Sequence, residues 1–355
     1  MKRLKEYLNH IFIDGLSGMA LGLFSTLIIG TIIQQIGNLI PGNIGDIIYL
    51  LGKIAASTTC AGIGVGIAYK FKESPLVVIS GAVAGMIGGF ATKILAGSIM
   101  TDTGAILLAG PGEPLGAFIA AIVAIEIGHV VSGKTKVDII ITPLVSIASG
   151  ALVGLLLSPP ISNFMTWLGN IIMLATEQQP FIMGMLVSVI MGILLTLPIS
   201  SAAIGVILGL NGITAGAAVV GCCCQMVGFS VASYRENKIG GLLAHGIGTS
   251  MLQIPNIIKK PVIWLPAIIS SAILGPISTT VFGMTNNATG SGMGSAGFVG
   301  QIMAYQTMIE TTAPSIVILQ ILLMHFILPA ILTLAVSEFM RKREFIKFGD
   351  MALDL

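Results

Sequence analysis

Apolar runs of roughly twenty residues recur along this chain, at 11–33, 47–69, 76–99, 115–131, 139–157, 181–197, 204–231, 262–282 and 316–336. About 20 apolar residues wound as a helix cross the hydrocarbon core of a bilayer, so the pattern points to an all-α polytopic membrane protein. Composition agrees: 55% of the 355 residues are hydrophobic and only 9% are charged, which excludes an ordinary soluble domain. The first run is too long for a cleavable signal peptide, and further apolar runs follow it.

Basic residues set the expected orientation. Apart from Lys53 and Lys93, every Lys and Arg falls in a cluster: Lys2, Arg3 and Lys5; Lys70 and Lys72; Lys134 and Lys136; Arg235 and Lys238; Lys259 and Lys260; and Arg341, Lys342, Arg343 and Lys347. The stretches 34–46, 97–112, 158–180 and 284–295 carry none. The positive-inside rule places the clusters and both termini in the cytoplasm, and the basic-free stretches outside or dipping in from outside. Counting crossings gives about ten spans if 161–176 also enters the membrane, or if the run 204–231 is broken near Asn211-Gly212. The short segment 239–255 lies between two basic clusters and reads as a hairpin that enters and leaves on one face.

Two glycine-dense segments break the helical pattern. They are Gly110-Pro111-Gly112-Glu113-Pro114-Leu115-Gly116-Ala117-Phe118 and Gly290-Ser291-Gly292-Met293-Gly294-Ser295-Ala296-Gly297-Phe298. Irregular backbone at membrane depth survives only where protein buries it or water reaches it, so both are expected to be re-entrant loops lining a binding site. The turns Ala68-Tyr69-Lys70 and Ser233-Tyr234-Arg235 recur in the same order relative to these loops. The expectation is a single domain over 1–355 built from an internal repeat, about 11–157 and 180–340, as in many secondary transporters.

Polar residues inside apolar runs are costly and usually functional. Glu113 precedes Pro114, a residue suited to the first turn of a helix, where free N–H groups and the helix dipole favour a carboxylate. Such an acid can accept hydrogen bonds from sugar hydroxyls. Asn286, Asn287 and Thr289, followed by Gln301, offer uncharged donors and acceptors that suit a polyhydroxylated ligand. Asn211, at the expected break, joins this substrate-binding set, as does His245, flanked by glycine and hydroxyl residues in 243–250. Glu126 and His129 stand at i and i+3 on one helix face and form either a relay or an interfacial pair. His10 and His325 read as structural. Cys60 and the run Cys222-Cys223-Cys224 read as small packing residues, because consecutive helical residues point in different directions and cannot share one metal. No cofactor, metal spacing or self-contained catalytic centre is expected, and nothing supports nucleic-acid binding.

The segment Gly110-Pro111-Gly112-Glu113-Pro114 resembles the Gly-Ile-Thr-Glu-Pro loop of the enzyme IIC (EIIC) membrane permeases of the bacterial phosphotransferase system. The likeness extends over most of the chain in hydropathy and layout, and points to the stand-alone branch that includes perfringolysin-regulator-like proteins. In sugar-transporting members the loop glutamate contacts the sugar, which implies that role for Glu113. Pro111 and Gly112 depart from the Ile and Thr of the motif. The resemblance also implies that a family histidine corresponds to His245, and it implies a homodimer in the bacterial cell membrane. Phosphorylation would come from separate IIB and IIA proteins, since the sequence carries neither domain. The resulting expectation is a permease component that binds a small polar solute, most plausibly a sugar, between the two loops. Two alternatives stand beside it: a membrane sensor or regulator without transport, and an ion-coupled carrier of an organic anion.

Overall fold

The computed structural model describes residues 2–353; Met1, Asp354 and Leu355, the extremities of the expected 1–355 domain, lie outside the described residues, as do the side chains of Lys2, Arg3, Leu4, Lys5, Ala203 and Ile207. The chain divides into two compact units, Met1–Met165 and Thr166–Leu355. Among the described residues the backbone is helical apart from turns and two isolated bridge pairs. Peptide groups in lipid must be satisfied within their own segment, and helices do this without outside partners.

Among the described residues six helices are long and apolar enough to cross a membrane: Glu6–Leu39, Pro114–Val131, Asp138–Thr176, Gly212–Ala232, Pro261–Thr280 and Pro314–Lys342. A bent pair, Asn43–Ser57 with Thr59–Lys70, turns by 52° and would make a seventh, while Pro75–Gly89 and Pro180–Thr196 are shorter apolar helices. The protein is therefore an all-α polytopic membrane protein. The stretch 158–180, free of basic residues, is no loop: it continues the helix Asp138–Thr176 through Pro159 and Pro160. In water two adjacent prolines would end a helix, but in an apolar surrounding a solvated loop is not an available alternative.

In the first unit four helices carry the core: α1 (Leu16–Leu23), α2 (Thr59–Lys70), α3 (Pro75–Gly89) and α4 (Pro114–Val131). Helix α2 packs on α1, on α3 and on α4, and α3 lies along α4. Their contacts are built from small residues that let backbones touch, as membrane helices do where no hydrophobic force favours association over lipid. At Gly18 an added Cβ would sit 2.6 Å from the Gly66 carbonyl oxygen, and at Gly116 one would sit 2.6 Å from that of Gly88.

The second unit is arranged around a helix buried over almost its whole length, α6 (Gly212–Ala232), surrounded by α5 (Pro180–Thr196), α7 (Leu265–Thr280) and α9 (Leu328–Lys342) with α8 (Val299–Met308) further along the chain. Ser188 Oγ donates to the Ser271 carbonyl at 2.7 Å, and Thr333 Oγ1 donates to Ser270 Oγ at 2.9 Å. These hydroxyls satisfy one another across helix faces that water does not reach. The segment 239–255, read as a hairpin from sequence, is a set of short broken helices: Tyr234–Leu243, a π-helical turn Ala244–Gly248, a 3-10 turn Ser250–Gln253 and Ile254–Lys259.

After α9 the chain folds back on its own unit. Arg341 pairs with Glu236 at 2.9 Å, and Lys260 pairs with Asp350 at 2.5 Å. Burial raises the Asp350 carboxyl, but hydrogen bonds from Lys260 and the Lys347 N–H, with the charges of Lys260 and Arg341, hold it below the usual carboxylate range. A depressed carboxyl stabilises the fold above its unfolded pKa, and that contribution disappears as pH falls through the folded value. Asp350→Asn is thus expected to melt below the wild type at neutral pH, with the gap closing on acidification toward the bottom of the carboxylate range. Thermal melts of the detergent-solubilised protein across pH read this out; a gap independent of pH would show that the pair does not titrate as described.

Candidate functional site

The glycine-dense loop of the first unit is held from three sides. The Cys60 thiol donates to the Pro111 carbonyl at 3.0 Å, the Glu113 N–H donates to the Gly89 carbonyl at 2.8 Å, and Lys93 Nζ donates to the Ala109 carbonyl at 2.7 Å. Gly112 adopts φ +76°, and a Cβ there would lie 2.5 Å from Cys60 Sγ and 3.1 Å from the Gly89 oxygen. Left-handed backbone is costly for a β-branched residue, so the departure from the Ile-Thr form of the motif is matched by the local conformation. Gly112→Thr is expected to destabilise the protein by about 1–3 kcal/mol, with a matching fall in melting temperature. Gly110 also has positive φ (+81°) but faces open space, so Gly110→Asn is expected to melt close to the wild type.

This loop delivers Glu113 to the N-terminus of α4. Glu113 is the N-cap, with φ −94° and ψ 112°; its Oε1 accepts the Leu115 N–H at 3.3 Å, and its carbonyl accepts the Ala117 N–H at 3.0 Å. Pro114 follows in the first turn, where its missing N–H removes nothing. The capping bond and the helix dipole hold the carboxylate in place. Oε2 accepts no hydrogen bond among the described residues and is free to take one from a hydroxyl.

Glu126 and His129 do not pair with each other. Glu126 Oε1 stands 3.5 Å from His10 Nε2, and His129 Nδ1 stands 2.9 Å from Glu73 Oε1. His10 also lies 3.6 Å from Asp14 and stacks on Phe71 with ring centroids 3.7 Å apart. Spacing along α4 puts the two residues on one face, but each finds its partner on a different neighbouring segment.

In the second unit the break expected at Asn211-Gly212 is present, between the short helix Ser201–Ile207 and α6. Gly212 forms an isolated antiparallel bridge with Asn286, whose N–H donates to the Gly212 carbonyl at 3.2 Å, so the break and the second glycine loop meet. Asn211 itself is exposed, with Nδ2 donating to the Gly209 carbonyl at 2.6 Å. The Asn286 side chain is buried; Nδ2 donates to the Gly300 carbonyl at 2.9 Å and Oδ1 accepts the Asn287 N–H at 2.8 Å. Asn287 caps the helical turn Ala288–Ser291 by accepting the Gly290 N–H at 3.0 Å. Both amides therefore shape the loop, while Thr289 is exposed beside them. Ser201 Oγ donates to the Gly292 carbonyl at 2.7 Å, and Gly294, at φ +53°, lies against Cys222.

Both histidines of this unit sit on π-helical turns, a distortion that recurs at functional sites, and both are fully buried. His245 Nδ1 lies 2.8 Å from the Gly241 carbonyl, and its turn packs on Ala296–Phe298 at the end of the glycine loop. Gln301 Nε2 lies 3.2 Å from His325 Nδ1 and 3.4 Å from Cys223 Sγ. Among the described residues His245 Nε2, His325 Nε2 and Gln301 Oε1 have no hydrogen-bond partner although buried. Unsatisfied buried polar atoms are uncommon and expensive.

Against that geometry, residues 13–353 match the family model described as Phosphotransferase system, EIIC. The chain belongs to the EIIC family. No curated protein matches it. Membership makes this protein a membrane permease component of sugar transport.

Some residues of this EIIC protein that shape the loops escape a reading by sequence. Cys60, placed in a helix as packing, also anchors the Glu113 loop from 51 positions away. Gln225 is buried in α6; its Oε1 accepts Trp264 Nε1–H at 2.8 Å, its Nε2 has no partner among the described residues, and Thr196 links the cluster to Ser250 at 2.8 Å. An amide directly after Cys222-Cys223-Cys224 was the available signal for Gln225. For Cys60 there was none, because the contact joins segments distant in sequence.

Proposed function

We propose that this EIIC protein binds a sugar through Glu113 and moves it across the membrane, with phosphorylation carried out by separate IIB and IIA partners. The observation that carries the proposal is the Glu113 carboxylate, capped onto α4 by one oxygen and open at the other. A carboxyl group fixed in this way, with backbone already positioned, can orient one hydroxyl without reorganising. Within the second unit, taken by itself, the unpartnered atoms of His245 and Gln301 are the groups best suited to bond a polar solute, with Thr289 and Asn211 at the loop surface. Asn286 and Asn287 act by holding the loop. Glu126 and His129 stay outside the solute path, each beside its own partner, His10 and Glu73.

The same proposal includes about ten crossings with the two glycine loops as re-entrant segments, an internal repeat, both termini in the cytoplasm, and a homodimer. Support for the crossing count is the bent pair Asn43–Ser57 with Thr59–Lys70 and the shorter apolar helices Pro75–Gly89 and Pro180–Thr196, which add to the six long ones.

The test is a thermal-shift screen of the purified protein against sugars, followed by uptake of the stabilising sugar into proteoliposomes. A ligand that binds only the native state raises the melting temperature with concentration. A sugar that stabilises and accumulates supports the reading; stabilisation without accumulation would assign the protein to sensing, and stabilisation by organic anions alone would remove sugar as the substrate.

A further inference from the structure

The C-terminal hook borders an open cleft of about 450 Å³ lined by Arg235, Arg341, Glu344, Ile346, Lys347 and Phe348. The hook is firmly held. Arg341 bonds both Glu236 oxygens and the Ala232 carbonyl, Asn237 bonds the Met351 carbonyl and the Leu353 N–H, and Gln253 bonds the Met351 carbonyl. The cleft walls therefore do not depend on whatever fills the space between them.

Three cations and one carboxylate, Glu344, line it; Arg341 is paired with Glu236 and Arg235 with Glu338, which leaves the Lys347 ammonium as the cation without a carboxylate partner among the described residues. Arg235 gives one N–H to Glu338 at 2.7 Å and keeps the rest of its donor fork. The Arg341 side chain is 8% exposed, and its buried Nε makes no hydrogen bond among the described residues. The Lys347 ammonium has no partner among them either, although its backbone N–H and carbonyl are both engaged. Forked guanidinium donors beside a free ammonium match the oxygens of a phosphate group. Phe348 of the lining is 77% exposed, Phe339 and Phe345 are exposed at and just after the end of the last membrane helix, and Lys342 and Arg343 are that helix's final and C-cap residues. Exposed aromatics and basic residues just beyond a membrane helix are the composition of a bilayer interface that attracts anionic lipid.

We propose that this cleft is a phosphate-binding site whose ligand is the headgroup of an anionic phospholipid. Arg235 and Lys347 contact the phosphate oxygens, Arg341 forms the inner wall, and the exposed phenylalanines lie along the acyl boundary. The proposal concerns the end of the second unit alone and does not depend on the solute reading.

The experiment is native mass spectrometry of the full-length protein titrated with phosphatidylglycerol and, separately, with phosphatidylcholine, with inorganic phosphate as competitor. The wild type is expected to retain phosphatidylglycerol over phosphatidylcholine. Lys347→Gln, which removes an ammonium that holds nothing in the fold, is expected to weaken retention about tenfold. Glu344→Gln is expected to tighten it about threefold, a gain that damage to the hook could not produce. Displacement by millimolar inorganic phosphate would overturn the lipid assignment in favour of free phosphate. Equal retention of both lipids, or identical retention by wild type and both variants, would overturn the site itself.

Discussion

Glu113→Gln is expected to lower sugar affinity by about 10- to 100-fold while leaving the melting temperature of the ligand-free protein within a few degrees of the wild type. The magnitude is that of a buried hydrogen bond left unmade, about 1–3 kcal/mol. Glutamine keeps the length of the side chain and its Oε1 can still accept the Leu115 N–H that caps α4. What it loses is the acceptor at Oε2. Isothermal titration with the sugar identified by thermal shift, together with the melting curve of the free variant, separates the two effects. Unchanged affinity would take Glu113 out of the binding site. Lost affinity with a collapsed melting curve would instead reduce it to a helix cap, and Glu113→Asp then decides, since a shorter acid can still cap but moves the open oxygen.

Gly216→Ala is expected to destabilise the second unit by about 3 kcal/mol, in the upper part of the range for overpacking. A Cβ at Gly216 would overlap the Met284 carbonyl oxygen and lie 2.6 Å from its carbonyl carbon. A backbone carbonyl cannot rotate aside as a side chain can, so α6 and the segment entering the second glycine loop would have to separate. That separation would also strain the bridge between Gly212 and Asn286. The control is Gly240→Ala, in the helix Tyr234–Leu243, where an added Cβ meets nothing within 4 Å. There, just after the kink at Lys238, the added methyl meets no neighbour and the change should leave stability within about 0.5 kcal/mol of the wild type. Thermal melts of both variants check the contrast; equal melting temperatures would show that the loop yields freely to α6.

The sequence by itself determined the class of the protein, because twenty-residue apolar runs with so few charges have no stable alternative to membrane helices. It also located the two glycine loops, the Glu113-Pro114 helix start and the break at Asn211-Gly212. Each of these is a local feature, governed by residues within a turn or two, and the EIIC resemblance was carried by one of them. Only the tertiary structure decided which atoms are free. Spacing placed Glu126 beside His129, yet their partners are His10 and Glu73, which approach on other segments. Asn286 and Asn287 offered amides suited to a ligand, yet both are engaged by the loop they build. Cys60 read as filler and proved to be an anchor for Pro111. A side chain's hydrogen bonds depend on what packing brings within about 3 Å. In a chain where most of the surface is apolar and interchangeable, that packing is set by close approaches between glycines far apart in sequence, which no local pattern records.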